Sequence, residues 1–162
     1  QSEGNPSAQG IYRDGEAAVK YLSARNDNNP KRMVYFGRSL GASVALEVAI
    51  KKPPAGIILE SPFTSIVAMA RKLYGFPLGK LLLTRYDNES KIRQINLPLL
   101  ILHGDQDQIV PFEMGRTLFD IANEPKDFYN ISGAGHNNTD ITGGEPYFHR
   151  LESFVKDLFP QD

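Results

Sequence analysis

The 162 residues carry 18 Lys and Arg against 19 Asp and Glu, a formal net charge of −1, with 41% hydrophobic residues and no cysteine. The charge balance excludes the basic footprint of a nucleic-acid binder, so no nucleic-acid partner is expected. The missing thiols exclude disulfides, cysteine-ligated zinc, iron–sulfur clusters and a cysteine nucleophile. The length fits one globular domain over residues 1–162.

The longest apolar run, residues 97–102, is far short of the ~20 residues of a membrane span. The opening QSEGNPSAQG lacks the basic and apolar regions of a secretory signal, and a soluble domain, cytoplasmic rather than secreted, is the expectation. It also lacks an initiator Met, which reads as a processed chain or a piece of a longer one.

Apolar spacing predicts a helix over residues 10–25, followed by the turn cluster NDNNP. Residues 32–36 (RMVYF) read as a buried strand and residues 39–51 as a helix stopped before Pro53-Pro54. A strand over 56–59, a long mixed segment 61–98, a strand over 99–103 and a helix over 112–123 come next. A strand over 127–131, a Gly-rich loop and a helix over 147–159 close the chain. Short, continuously apolar strands alternating with helices predict a mostly parallel α/β sheet with helices on both faces. Ligands of such sheets bind beyond the carboxyl ends of the strands. Functional residues are therefore expected just after Phe36, Leu59, His103 and Ile131.

Three of those strand ends carry one chemistry. After the first stands Gly37-Arg38-Ser39-Leu40-Gly41, a G-x-S-x-G between a strand and an Ala-rich helix, the setting of a nucleophile elbow. Glycine at both positions is expected to spare side chains that would collide with neighbouring elements. After residues 99–103 comes Gly104-Asp105-Gln106-Asp107, and after residues 127–131 comes Gly133-Ala134-Gly135-His136. A serine needs a base to take its proton, and the imidazole needs a carboxylate to fix its tautomer. Ser, then Asp, then His follow one another along the chain, an order that differs from those of chymotrypsin and subtilisin.

The stretches GNPSAQGIYRDGEAAVKYL, YFGRSLGASVALEVA, LESPFTSI, LPLLILHGDQDQIVPF and GAGHNNT span nearly the whole chain and resemble the α/β-hydrolase superfamily of serine hydrolases. The resemblance is to its branch of abhydrolase-domain proteins, which includes depalmitoylase-like enzymes and bacterial relatives. It implies Ser39 as nucleophile, His136 as base and, from the pattern G-x-x-D-x-x-V-P, Asp107 rather than Asp105 as acid. The backbone N–H of Leu40 would serve the oxyanion hole. The upstream strands of that fold and the H-G segment of their oxyanion loop are not in this sequence, so the resemblance implies an N-terminally truncated hydrolase fold. The strand ending at Phe36 would then be an edge that pairs with an upstream fragment or self-associates.

The segment 61–98 is too long for a simple loop and matches the place where this fold inserts a small helical cap, between the second and third strands present. Phe63, Tyr74 and Phe76 are its candidate substrate contacts. The expected reaction is hydrolysis of a carboxylic ester or thioester through an acyl-enzyme, with no cofactor and no metal. The competing reading is a non-catalytic hydrolase-like module acting in binding or association. Membrane association is an expectation for a full-length parent alone.

Overall fold

The computed structural model describes residues 7–74 and 86–160. Helix α1 (Ala8–Ser23) starts at Ser7, whose hydroxyl accepts the Gly10 N–H at 3.0 Å and satisfies one of the orphan donors of a helix start. Strand β1 (Val34–Arg38) leads into α2 (Leu40–Lys51), and β2 (Gly56–Glu60) follows. Helices α3 (Ile66–Tyr74) and α4 (Asn88–Ile92) precede β3 (Leu99–Gly104), α5 (Phe112–Ile121), β4 (Lys126–Ile131) and α6 (Thr139–Leu158). All four strands are parallel, in the order β1-β2-β3-β4. Among the described residues no helix is long and apolar enough to cross a membrane.

The two middle strands explain their own sequence. Every residue of β2 and β3 is buried, because successive side chains point to opposite faces and both faces are covered. Ile57, Leu59, Leu99 and Ile101 pack with Ala42, Leu46 and Ala49 of α2, Ile92 of α4 and Leu118 of α5. Ile58, Leu100 and Leu102 pack on the other face with Ile131 and with Tyr147 and Phe154 of α6. Burial of each such Leu or Ile side chain contributes about 1.5–3 kcal/mol.

Three expectations are corrected. The first strand is not residues 32–36: Pro30–Arg32 form a 3₁₀ turn and the strand runs through Gly37 to Arg38. Pairing with β2 continues to Arg38↔Glu60, so the ladder, not the apolar run, sets the end. The last strand is not continuously apolar, since Asp127 and Asn130 are exposed on this edge strand. The final helix, expected from residue 147, is preceded by a further helical stretch from Thr139, the two joined at Gly144, whose backbone is not helical (φ 52°, ψ −144°), just before Pro146. Pro146 and the glycines ahead of it hide the first turns from a periodicity reading.

Candidate active site

Ser39 sits between the end of β1 and the start of α2 with φ 51° and ψ −116°. Such a conformation costs a non-glycine residue about 1–3 kcal/mol and persists only where its surroundings impose it. One restraint is the Ser39 N–H, which donates to the Glu60 carbonyl at 2.9 Å. The flanking glycines are not equivalent. A Cβ on Gly37 would come within 2.5 Å of the Gly41 carbonyl oxygen and 2.7 Å of the Ala42 Cα, so the strand and α2 can meet only without it. A Cβ on Gly41 would meet nothing within 4 Å among the described residues. The expected collision at the second glycine is absent because Gly41 faces the open groove lined by Val34, Phe36 and Val44.

Asp107 follows β3. One of its oxygens, Oδ1, accepts the N–H groups of Ile109 at 2.9 Å and Val110 at 2.8 Å, and the other, Oδ2, accepts from His136 Nδ1 at 2.7 Å. A carboxylate only accepts, so the bond places the imidazole proton on Nδ1 and leaves Nε2 a free lone pair. Burial works to raise the Asp107 pKa, but hydrogen bonds from His103 and His136 and the Val110 N–H outweigh it and hold the carboxyl well below its usual range.

Asp105 has a different task. Its Oδ1 accepts the Gly133 N–H at 2.8 Å, tying the β3 turn to the loop that carries His136. That bond lowers its pKa.

His103, the fifth residue of β3, is fully buried. Its Nε2 lies 3.0 Å from the Val110 carbonyl and 3.4 Å from Asp107 Oδ2, so its proton goes chiefly to Val110 and secondarily to the carboxylate. Its Nδ1 is buried without a hydrogen-bond partner among the described residues and faces Gly115, where a Cβ would come within 2.3 Å of it. Among the described residues no group of three His, Asp or Glu side chains is arranged to hold a metal.

Glu60, at the end of β2, was marked in the sequence only by its position after an apolar run. It is 2% exposed and accepts from Thr139 Oγ1 and Tyr147 Oη, each at 2.6 Å. Burial and the Glu60 carboxylate together push the Tyr147 phenol well above its ordinary pKa, so it remains a donor. Arg38 Nε lies 3.2 Å from Glu60 Oε1. The same guanidinium donates through Nη2 to the His136 carbonyl and, at 3.3 Å, to Asn137 Oδ1.

The nucleophile candidate and the histidine loop therefore meet through the residue beside Ser39. No hydrogen bond joins Ser39 Oγ to the His136 ring among the described contacts; such bonds are often long until substrate is bound. Leu40, 40% exposed, opens α2, and the first N–H groups of a helix have no acceptor inside it.

Phe63 is 4% exposed, in a cluster with Met69 and Val110, so it packs behind the Asp107 turn rather than lining an open surface. Tyr74 closes α3, but its side chain lies outside the described residues, as does Phe76.

The sequence profile of the prolyl oligopeptidase family matches residues 7–159. The chain belongs to that family of α/β-hydrolases. It is 38% identical over 153 residues to an uncharacterised protein of Mycobacterium tuberculosis, covering 94% of this chain and 54% of the relative. It is 33% identical to the human alpha/beta hydrolase domain-containing protein 17B, covering 95% of this chain and 52% of that one. The chain thus spans about half the length of these curated relatives. Among solved structures, the esterase domain of a Rhodothermus marinus protein matches with a TM-score of 0.67 and 26% identity, over 88% of this chain and 67% of that one. The parallel sheet with helices on both faces is that of the α/β-hydrolase fold.

Proposed function

We propose that this α/β-hydrolase chain carries the acylation machinery of a serine hydrolase acting on carboxylic esters or thioesters. The observation that carries the reading is the 2.7 Å bond from His136 Nδ1 to Asp107. It leaves Nε2 as an acceptor at the strand ends where Ser39 is held in its positive-φ turn. Ser39 Oγ attacks the acyl carbon while its proton passes to His136 Nε2, and the imidazolium formed is stabilised by Asp107. The oxyanion of the tetrahedral intermediate accepts from the Leu40 N–H. Collapse breaks the bond to the alcohol or thiol, which leaves with the proton from His136. Water then attacks the acyl-serine, again giving a proton to His136, and the acid is released as Ser39 recovers its hydrogen. The esterase named among the similar structures supports an ester over other acyl compounds. Helix α3, which follows β2, is assigned to the acyl side, with Phe63 packed against its Met69, while α4, within the 61–98 expected as a cap, belongs to the sheet core through Ile92.

Reaction with a fluorophosphonate probe tests the proposal, since only an activated serine is phosphonylated quickly. Mass spectrometry is expected to place the adduct on Ser39, and Ser39→Ala and His136→Ala are expected to abolish it. An unlabelled protein, or label that persists in Ser39→Ala, favours the alternative of a non-catalytic binding module.

A further inference from the structure

We infer that Arg38 and Glu60 form a positioning clamp that sets the approach of His136 to Ser39, so that the variable residue before the serine in G-x-S-x-G is a functional position in this chain. The inference rests on the serine-hydrolase reading and adds to it the device that holds the base in place. The sheet order explains why one is needed. β1 and β4 are opposite edges of the four strands, three spacings or about 14 Å apart at ~4.8 Å per strand. His136 leaves the end of β4 and must reach back over β3 and β2 to serve a serine on β1. Asp107 fixes the ring from β3, and the loop ahead of His136 is tied by Asp105 to Gly133 and by the Gln106 N–H to the Ala134 carbonyl at 2.9 Å, but none of these bonds holds the main chain of His136 itself.

Glu60 stands on β2, under that crossing. Its carboxylate holds Thr139 and Tyr147, three and eleven residues beyond His136. Its main-chain carbonyl holds the Ser39 N–H. Arg38 completes the span, with Nε against the carboxylate at 3.2 Å and Nη2 on the His136 carbonyl. A planar guanidinium presents Nε–H and Nη2–H from two nitrogens in a fixed fork, one for each acceptor, whereas an ammonium must reach both from a single atom on a flexible stem. Glu60 is 3% exposed in its side chain and Arg38 38%, so the anchor is buried and only the arm meets solvent. Neither side chain touches the reacting atoms; both act through His136 and Ser39.

The experiment uses the 162-residue chain with Arg38→Met, Arg38→Lys and Glu60→Gln. It reads the second-order rate of fluorophosphonate labelling, the melting temperature, and the exchange with water of the His136 Nδ1 proton by NMR. Arg38→Met is expected to label about 10–100-fold more slowly, the penalty of a misplacement near 1 Å, with its melting temperature little changed and the Nδ1 proton exchanging faster. Arg38→Lys is expected to recover part of both losses, and Glu60→Gln to behave like Arg38→Met; if it fails to fold, the two Arg38 variants decide. Wild-type labelling and exchange in Arg38→Met would overturn the clamp, as would a loss of rate that only tracks a fallen melting temperature. Should the wild type not label at all, the hydrolase reading fails separately. The clamp then stands if Arg38→Met still speeds exchange of the proton, and falls if it does not.

Discussion

At the scale of single residues, two aspartates two positions apart in the same turn have been given different work by geometry. Asp107 accepts from the imidazole of His136, while Asp105 accepts from a backbone N–H. Asp107→Asn keeps the size but lets the amide donate where only an acceptor suits Nδ1–H, so the wrong tautomer results. Labelling by an activated phosphonate is expected to slow by about 10³–10⁴-fold, following the loss seen when a triad Asp is so changed. Asp105→Asn retains an oxygen for Gly133 and is expected to stay within about threefold of the wild-type rate, a free-energy change near 0.6 kcal/mol. The reverse order of effects would show that the acid had been misassigned. Asp107 also carries a pH signature. Its folded pKa is depressed, so its stabilisation is fully present above the ordinary carboxylate value of ~3.9 and is lost as pH falls from there toward the folded value. Acid titration followed by circular dichroism is expected to show a shallower loss of stability below about pH 4 in Asp107→Asn than in the wild type.

Elements place these residues, and the contact between β1 and α2 is the most demanding. With 2.5 Å between a Gly37 Cβ and the Gly41 carbonyl, the obstacle is backbone and cannot swing away. Gly37→Ala is expected to destabilise the chain by at least about 1–3 kcal/mol, the usual cost of overpacking. Gly41→Ala meets nothing within 4 Å among the described residues. It lies in the first turn of a helix, where Ala is favoured over Gly by up to about 1 kcal/mol, so its melting temperature is expected to hold or rise. Thermal melts of the two single variants check the contrast. Equal destabilisation would mean that the two glycines are under the same steric constraint after all.

Across the 162 residues as a whole, the edge strand β1 decides the expected behaviour in solution. On the side away from β2, strand β1 has no partner among the described residues, and Phe36 is 49% exposed beside the apolar groove of Ile11, Val34 and Val44. An open parallel edge of this kind pairs readily with another chain. The 162-residue chain is expected to self-associate there. Sedimentation velocity should show the mean sedimentation coefficient rising with protein concentration, and Phe36→Lys should hold the chain monomeric at the same concentrations. A wild-type monomer over a hundredfold range of concentration would sink this expectation.

The sequence by itself determined the layer architecture and the strand ends that matter. Continuous apolar runs at Ile57, Ile58 and Leu59 and at Leu99, Leu100 and Ile101 have one physical reading, strands covered on both faces. The glycines around Ser39 and His136 mark where the chain turns at those ends. It could not determine the start of α6, because Gly144 and Pro146 break the local pattern while tertiary packing of Tyr147 and Phe154 still holds the helix on the sheet. Nor could it assign Arg38, Glu60, His103, Thr139 or Tyr147. A buried carboxylate at the end of an apolar strand is uninformative until its partners are known, and those of Glu60 lie 22 residues before it and 79 and 87 residues after it. Only the folding of four strands into one sheet brings them within hydrogen-bond reach, since hydrogen bonds act over about 3 Å and nothing in the local sequence encodes so distant a meeting.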